Sequence, residues 1–172
     1  MRKKRKKGGS VPGSVVYTGD KQTEKVFTHF LQYDSTDLVE KTFDTHKGLE
    51  LEKENTAKVD WYDIRGMHDI ELIEVMGKNF SLHPIVLENA VDIHKRPKFE
   101  EYNDGNFVIL KALSFNKDSK KVSKEHISIY FTKSFLVTFQ ETESDVFADV
   151  RNRINTSKGR IRDRGTDYLA FA

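Results

Sequence analysis

The sequence contains no cysteine. Disulfides, thiolate nucleophiles and cysteine-ligated zinc are therefore excluded. Proline is scarce, at three residues, and none of the ten glycines builds a GxGxxG or a GxxxxGK(S/T) loop. Neither dinucleotide nor P-loop nucleotide binding has a motif behind it. Nucleophile elbows, HExxH helices and EF-hand loops are also missing. No apolar run approaches the roughly 18 residues that a membrane-spanning helix needs. The basic opening MRKKRKKGG is not followed by an apolar stretch, so it does not read as a secretory signal. An enzyme is not indicated.

What is present is a charged but globular composition, 37% hydrophobic and 33% charged, over 172 residues. That length suits one domain with a substantial core. The net charge of +2 hides an uneven distribution, because residues 2–7 are the cationic run RKKRKK. Without those six, 23 basic side chains face 27 acidic ones, a net of −4. A mildly acidic domain (residues 15–172) thus carries a basic tail (1–14). The tail reads either as a solvated terminus or as a contact for nucleic acid or anionic lipid.

Periodicity gives the elements. Val15–Thr18 and Lys25–Tyr33 read as strands, and DSTDLVEKT (34–42) reads as a short helix capped by Asp34 or Ser35. The polar stretch 44–58 has no assignment. VDWYDIRG (59–66) reads as a strand ended by Gly66, and Ile70, Ile73, Met76 and Phe80 mark an amphipathic helix. Pro84 suits the first turn of another helix. NFVILKALSF (106–115) is apolar on both faces and reads as a central strand. With HISIYFT (126–132) and SFLVTFQ (134–140) it forms an antiparallel meander whose longer loop is NKDSKKVS. SDVFADVRNRI starts like a capped helix from Ser144, with Phe147, Val150 and Ile154 on one stripe, and a further helix begins near Ile161. The chain stops on the apolar YLAFA, which reads as a cut into a longer helix. These elements imply an α/β or α+β layered domain around a mixed sheet of five to seven strands.

The stretch HPIVLENAVDIHKRP (83–97) holds most of the chemistry. At roughly 100° per residue, Val86, Leu87, Ala90 and Val91 share one arc of a helix, and Ile85, Glu88, Asn89 and Asp92 share the other. His83 falls in the cap region and His94 past the helix end, so the histidines do not join the acids on one face. An oxygen-only face suits a hard divalent cation such as Mg²⁺, which takes one or two carboxylates and keeps several waters. The same pattern also describes an ordinary solvated helix face. The six cations between Arg151 and Arg164 read as a phosphate- or nucleic-acid-binding patch or as a solvated outer face, without aromatics to stack bases. His29, His46, His68 and His126 lack metal-like spacing.

VPGSVVYTG, WYDIRGMHD, HPIVLENAVDIHKRPKFEEY, FVILKAL, HISIYFTKSFLVTFQE, DVFADVRNRI and DYLAFA follow one another in an order that resembles the N-terminal cytosolic domain of CorA-type magnesium/cobalt transporters, from Val11 to Ala172. The resemblance implies a three-layer α/β/α sandwich at the cytoplasmic face of the membrane. It also implies a homopentamer completed by stalk and membrane helices beyond residue 172. The implied role is Mg²⁺ sensing and gating, with Co²⁺ as another candidate cation. The ligands it implies here are Glu88 and Asn89, the second departing from the Asp usual in the family. The related ZntB-type zinc transporter domain shares the implied fold. A soluble nucleic-acid-binding module using the basic tail is the reading from another class, and the resemblance carries no nucleic-acid partner.

Overall fold

A computed structural model describes residues 11–44 and 57–172. The RKKRKK run, His46 and the rest of the polar stretch 45–56 lie outside these described residues. In chain order the elements are β1 (Phe27–Tyr33), β2 (Leu38–Phe43), β3 (Val59–Arg65), α1 (Ile70–Asn79), α2 (Pro84–Val91), β4 (Lys98–Tyr102), β5 (Gly105–Asn116), β6 (Lys121–Phe131), β7 (Phe135–Gln140), α3 (Ala148–Asn155), a 3-10 turn at Ile161–Asp163, and α4 (Thr166–Phe171).

Seven strands form one sheet in the order β2-β1-β3-β7-β6-β5-β4. The β3–β7 pair is parallel, and the other five pairs are antiparallel. Side chains alternate across a strand with period two, and here both faces are apolar. Phe30, Tyr62, Ile64, Tyr130, Val137 and Phe139 point to one face, where α1 and α2 cover them. Leu31, Tyr33, Trp61, Ile127, Ile129 and Leu136 point to the other, under Ile154 of α3, Ile161 and Leu169 of α4. The result is the expected three-layer α/β/α sandwich around a mixed sheet, with the strand count at the top of the expected range. β3 is buried at every position because it contributes to both cores.

Several local expectations are corrected. DSTDLVEKT is not a helix: Asp34–Asp37 forms the turn of a hairpin into β2, with Tyr33 opposite Leu38. The Asp34 carboxylate accepts hydrogen bonds from the amides of Thr36 and Asp37. A helix N-cap offers the same bonds, so the local signal was right about the side chain and wrong about the element after it. Among the described residues Val15–Thr18 pairs with no strand and runs instead along α2. β5 lies next to the edge strand rather than at the centre, which β7 occupies. The NKDSKKVS loop shrinks to residues 117–120, because β5 and β6 stay paired out to Asn116 and Lys121. α3 begins at Ala148 behind Phe147, with no side-chain cap.

Candidate functional site

Helix α2 carries the residues singled out in the sequence, and three features fix it. At its start His83 is the N-cap, its Nδ1 accepting from the Ile85 amide at 3.2 Å, and Pro84 sits in the first turn. At its end the carbonyls that a helix leaves unpaired find partners on the sheet. Ala90 O accepts from His126 Nε2 at 3.0 Å and from Ser128 Oγ at 3.2 Å. Ile93 O, just beyond the helix, accepts from Lys111 Nζ at 2.7 Å. Since His126 Nε2 donates to a carbonyl, its Nδ1 must accept, and Lys111 Nζ lies 2.7 Å from it. Burial, reinforced by the Lys111 charge, pushes the His126 imidazole down to about 4. Burial also lowers Lys111, against the pull of Glu141. This sheet-borne fork had no sequence signature, since two polar residues fifteen apart on paired strands carry no local pattern.

The third feature is the N-terminal segment. Gly13 N–H donates to Glu88 Oε2 at 2.7 Å. Thr18 Oγ1 donates to Asp92 Oδ1 at 2.8 Å and accepts from the Ile93 amide at 3.1 Å. Residues 13–18 therefore lie as a strap along α2, with Val15 and Tyr17 packed on the core beneath it. Gly13 has φ +88°, and a Cβ there would come within 3.0 Å of the Pro84 ring, so glycine suits both the conformation and the close approach. The boundary drawn at residue 14 places Gly13 in the tail, yet its backbone is seated on the helix.

The oxygen-bearing face differs from the wheel. Glu88 is partly exposed, with Oε2 held by Gly13 and Oε1 3.8 Å from Lys95 Nζ. Asn89 does not face outward: it is 4% exposed. Asp92 is the C-cap, and its carboxylate is committed to Thr18 and to the His94 amide. Burial would raise the Asp92 pKa. The hydrogen bonds from Thr18 and His94 and the charges of Lys95 and His94 outweigh it and hold the carboxyl below its usual range. Among the described residues, no group of three or more His, Asp or Glu side chains converges as a complete metal site.

The basic stretch Arg151–Arg164 is also revised, because Arg151 is buried. Its guanidinium contacts Asp63 Oδ2 at 3.0 Å and Asp145, while Arg65 lies 3.0 Å from each of the same two carboxylates. Thr138 and Gln140 donate to the other oxygen of Asp63. Two arginines and two aspartates thus form a neutral cluster, buried except at Asp145, that fastens α3 to the ends of β3 and β7. It is a structural joint, and Ser144, the expected cap, donates instead to Glu125.

A family model described as "CorA-like Mg2+ transporter protein" matches residues 56–171. The cobalt/magnesium transport protein CorA of Thermotoga maritima is 34% identical over 167 residues, covering 96% of this chain and 47% of that protein. The putative metal ion transporter YfjQ of Bacillus subtilis is 27% identical over 127 residues, 73% of this chain and 38% of that one. The chain thus spans about half or less of the length of these curated relatives. The soluble domain of CorA from Methanocaldococcus jannaschii shares the fold with a TM-score of 0.55 at 20% identity, over 78% of this chain and 50% of that one. The ZntB cytoplasmic domain from Vibrio parahaemolyticus does so with a TM-score of 0.56 at 15% identity, over 76% and 51%.

Proposed function

The chain belongs to the CorA-like Mg²⁺ transporter family, and on that premise we propose that it is the cytosolic ion-sensing domain of a divalent-cation transporter rather than an enzyme. In the complete protein it assembles as a homopentamer, with stalk and membrane helices supplied by chain beyond residue 172. Among the described residues no helix is long and apolar enough to cross a membrane, so transport itself falls to other segments.

The observation that carries the sensing role is the Glu88–Asn89 pair. Glu88 is partly exposed, with Oε2 held by the Gly13 amide and Oε1 facing Lys95 Nζ at 3.8 Å, and the adjacent Asn89 supplies an amide. The carbonyl of an amide is a hard oxygen donor. One carboxylate oxygen and one amide oxygen fit two of the six positions of a Mg²⁺ shell, with water or a neighbouring subunit completing six-fold coordination. When bound, the ion supplies the positive charge that draws an acidic face on one subunit toward another. A state that holds the ion better becomes more populated in proportion to its differential affinity. The fold shared with a ZntB cytoplasmic domain suggests Zn²⁺ as a second candidate ion. The donors favour the harder cation, since there is no cysteine and His83 uses its Nδ1 to cap α2.

Isothermal titration of the full-length protein tests the reading. Glu88→Ala is expected to bind Mg²⁺ several-fold more weakly than the parent, and unchanged binding would falsify Glu88 as a ligand.

A further inference from the structure

The proposed ion site already holds a cation of its own. Lys95 lies in the turn just after α2, its amide donating to Asp92 O at 3.0 Å. Its ammonium reaches back to 3.8 Å from Glu88 Oε1, and both side chains are about one-third exposed. Asp92 and Glu100 lie close enough to feel the same charge. Lys95 thus pairs with Glu88 and also acts on Asp92 and Glu100 at longer range. Because Gly13 N–H occupies Oε2, Oε1 is the oxygen that an incoming ion would take, and it is the oxygen that Lys95 faces.

We propose that Lys95 is a built-in competitor of the divalent cation, an exchangeable counter-ion that sets the ion concentration at which Glu88 is occupied. This rests on the reading of Glu88 as a ligand. A Mg²⁺ ion sits about 2.1 Å from a carboxylate oxygen. With Lys95 Nζ 3.8 Å from the same oxygen, the two cations would be at most about 6 Å apart, well inside a Debye length. They repel, so one must leave. Lys95 can leave at low cost, because lysine is a flexible point charge on a four-carbon stem and this one already borders solvent. With the ion absent, the ammonium neutralises part of the carboxylate repulsion around the end of α2. With the ion present, it swings outward. Ion binding at Glu88 is then an exchange of one cation for another, and its apparent affinity is lower than the oxygens alone would give.

The test is Mg²⁺ titration, by calorimetry, of the full-length protein and four variants: Lys95→Met, Lys95→Gln, Lys95→Arg and Glu88→Gln. Met keeps the aliphatic stem and Gln keeps a polar tip, so a folding defect in one leaves the other to report. Removing an exposed ion-pair partner is expected to tighten Mg²⁺ binding about fivefold in Lys95→Met and Lys95→Gln. Lys95→Arg, which retains the charge, should bind like the parent. If Lys95→Met and Lys95→Gln match the parent or bind more weakly while Glu88→Gln loses affinity, competition by Lys95 is wrong and the ligand role of Glu88 stands. If no variant differs from the parent, or none binds, both fall together.

Discussion

At the scale of single residues, two buried polar groups set the strongest expectations. Asp63 is fully buried and faces Arg65 and Arg151, which are themselves nearly buried. Removing one partner of a buried ion pair strands the other charges, which typically costs about 3–5 kcal/mol. Asp63→Ala is therefore expected to lower the stability of the chain by about that much in urea unfolding, far more than an exposed Asp118→Ala. His126 supplies a pH dependence. Its folded pKa of about 4 lies below its ordinary value of 6.5, so the unfolded chain binds more protons between those values. Its contribution to stability is complete above pH 6.5 and is lost as the pH falls toward 4. Glu141, raised by burial, has the opposite sign above its ordinary 4.5. The acid limb of the stability curve should flatten in His126→Gln, and NMR titration should place the His126 imidazole near 4. A value near the ordinary 6.5 would contradict the Lys111–His126–Ala90 fork.

At the scale of elements, the contact between α1 and α2 depends on one missing side chain. Gly77 lies mid-helix in α1, and a Cβ there would fall 2.2 Å from Leu87 Cδ1 of α2. Helix propensity alone would reward alanine by about 1 kcal/mol. Overpacking a close-packed contact costs about 1–3 kcal/mol, and Leu87 is 6% exposed, with little room to turn away. The net effect of Gly77→Ala is expected to be destabilising, read as a lower urea midpoint with an unchanged slope. Because α2 carries Glu88, Asn89 and the strap contacts, the same variant should also weaken Mg²⁺ binding if that site is as proposed. Elements also show where local reading stops. Pro84 and His83 marked the start of α2 correctly, since a helix start is a local event. The end of the helix, and the burial of Asn89 on what the wheel drew as its outer arc, depended on β5, β6 and the strap.

At the scale of the whole molecule, one sheet serves two cores. β3 gives Tyr62 and Ile64 to the α1–α2 side and Trp61 to the α3–α4 side, so neither layer can open without exposing the other. Unfolding followed by the emission of Trp61, the only tryptophan, and by far-ultraviolet circular dichroism should therefore coincide. Ile73→Ala, on the face opposite Trp61, should lower both midpoints together by an amount equivalent to about 2–5 kcal/mol; separate transitions would show that the layers fold independently. The sequence by itself determined the layered α/β class, the strands and helices with strong periodicity, the lack of thiols and of nucleotide-binding motifs, and α2 as the element to watch. Those properties derive from composition and from patterns within a turn or two of chain. Tertiary structure decided the rest. It turned a capping signal at Asp34 into a hairpin, joined Arg151 and the exposed Asp145 to the buried Asp63, and seated Gly13 and Lys95 on the two oxygens of Glu88. Each outcome rests on residues distant in sequence, or on which of two local hydrogen-bonding solutions packs, and only the folded chain brings those partners together.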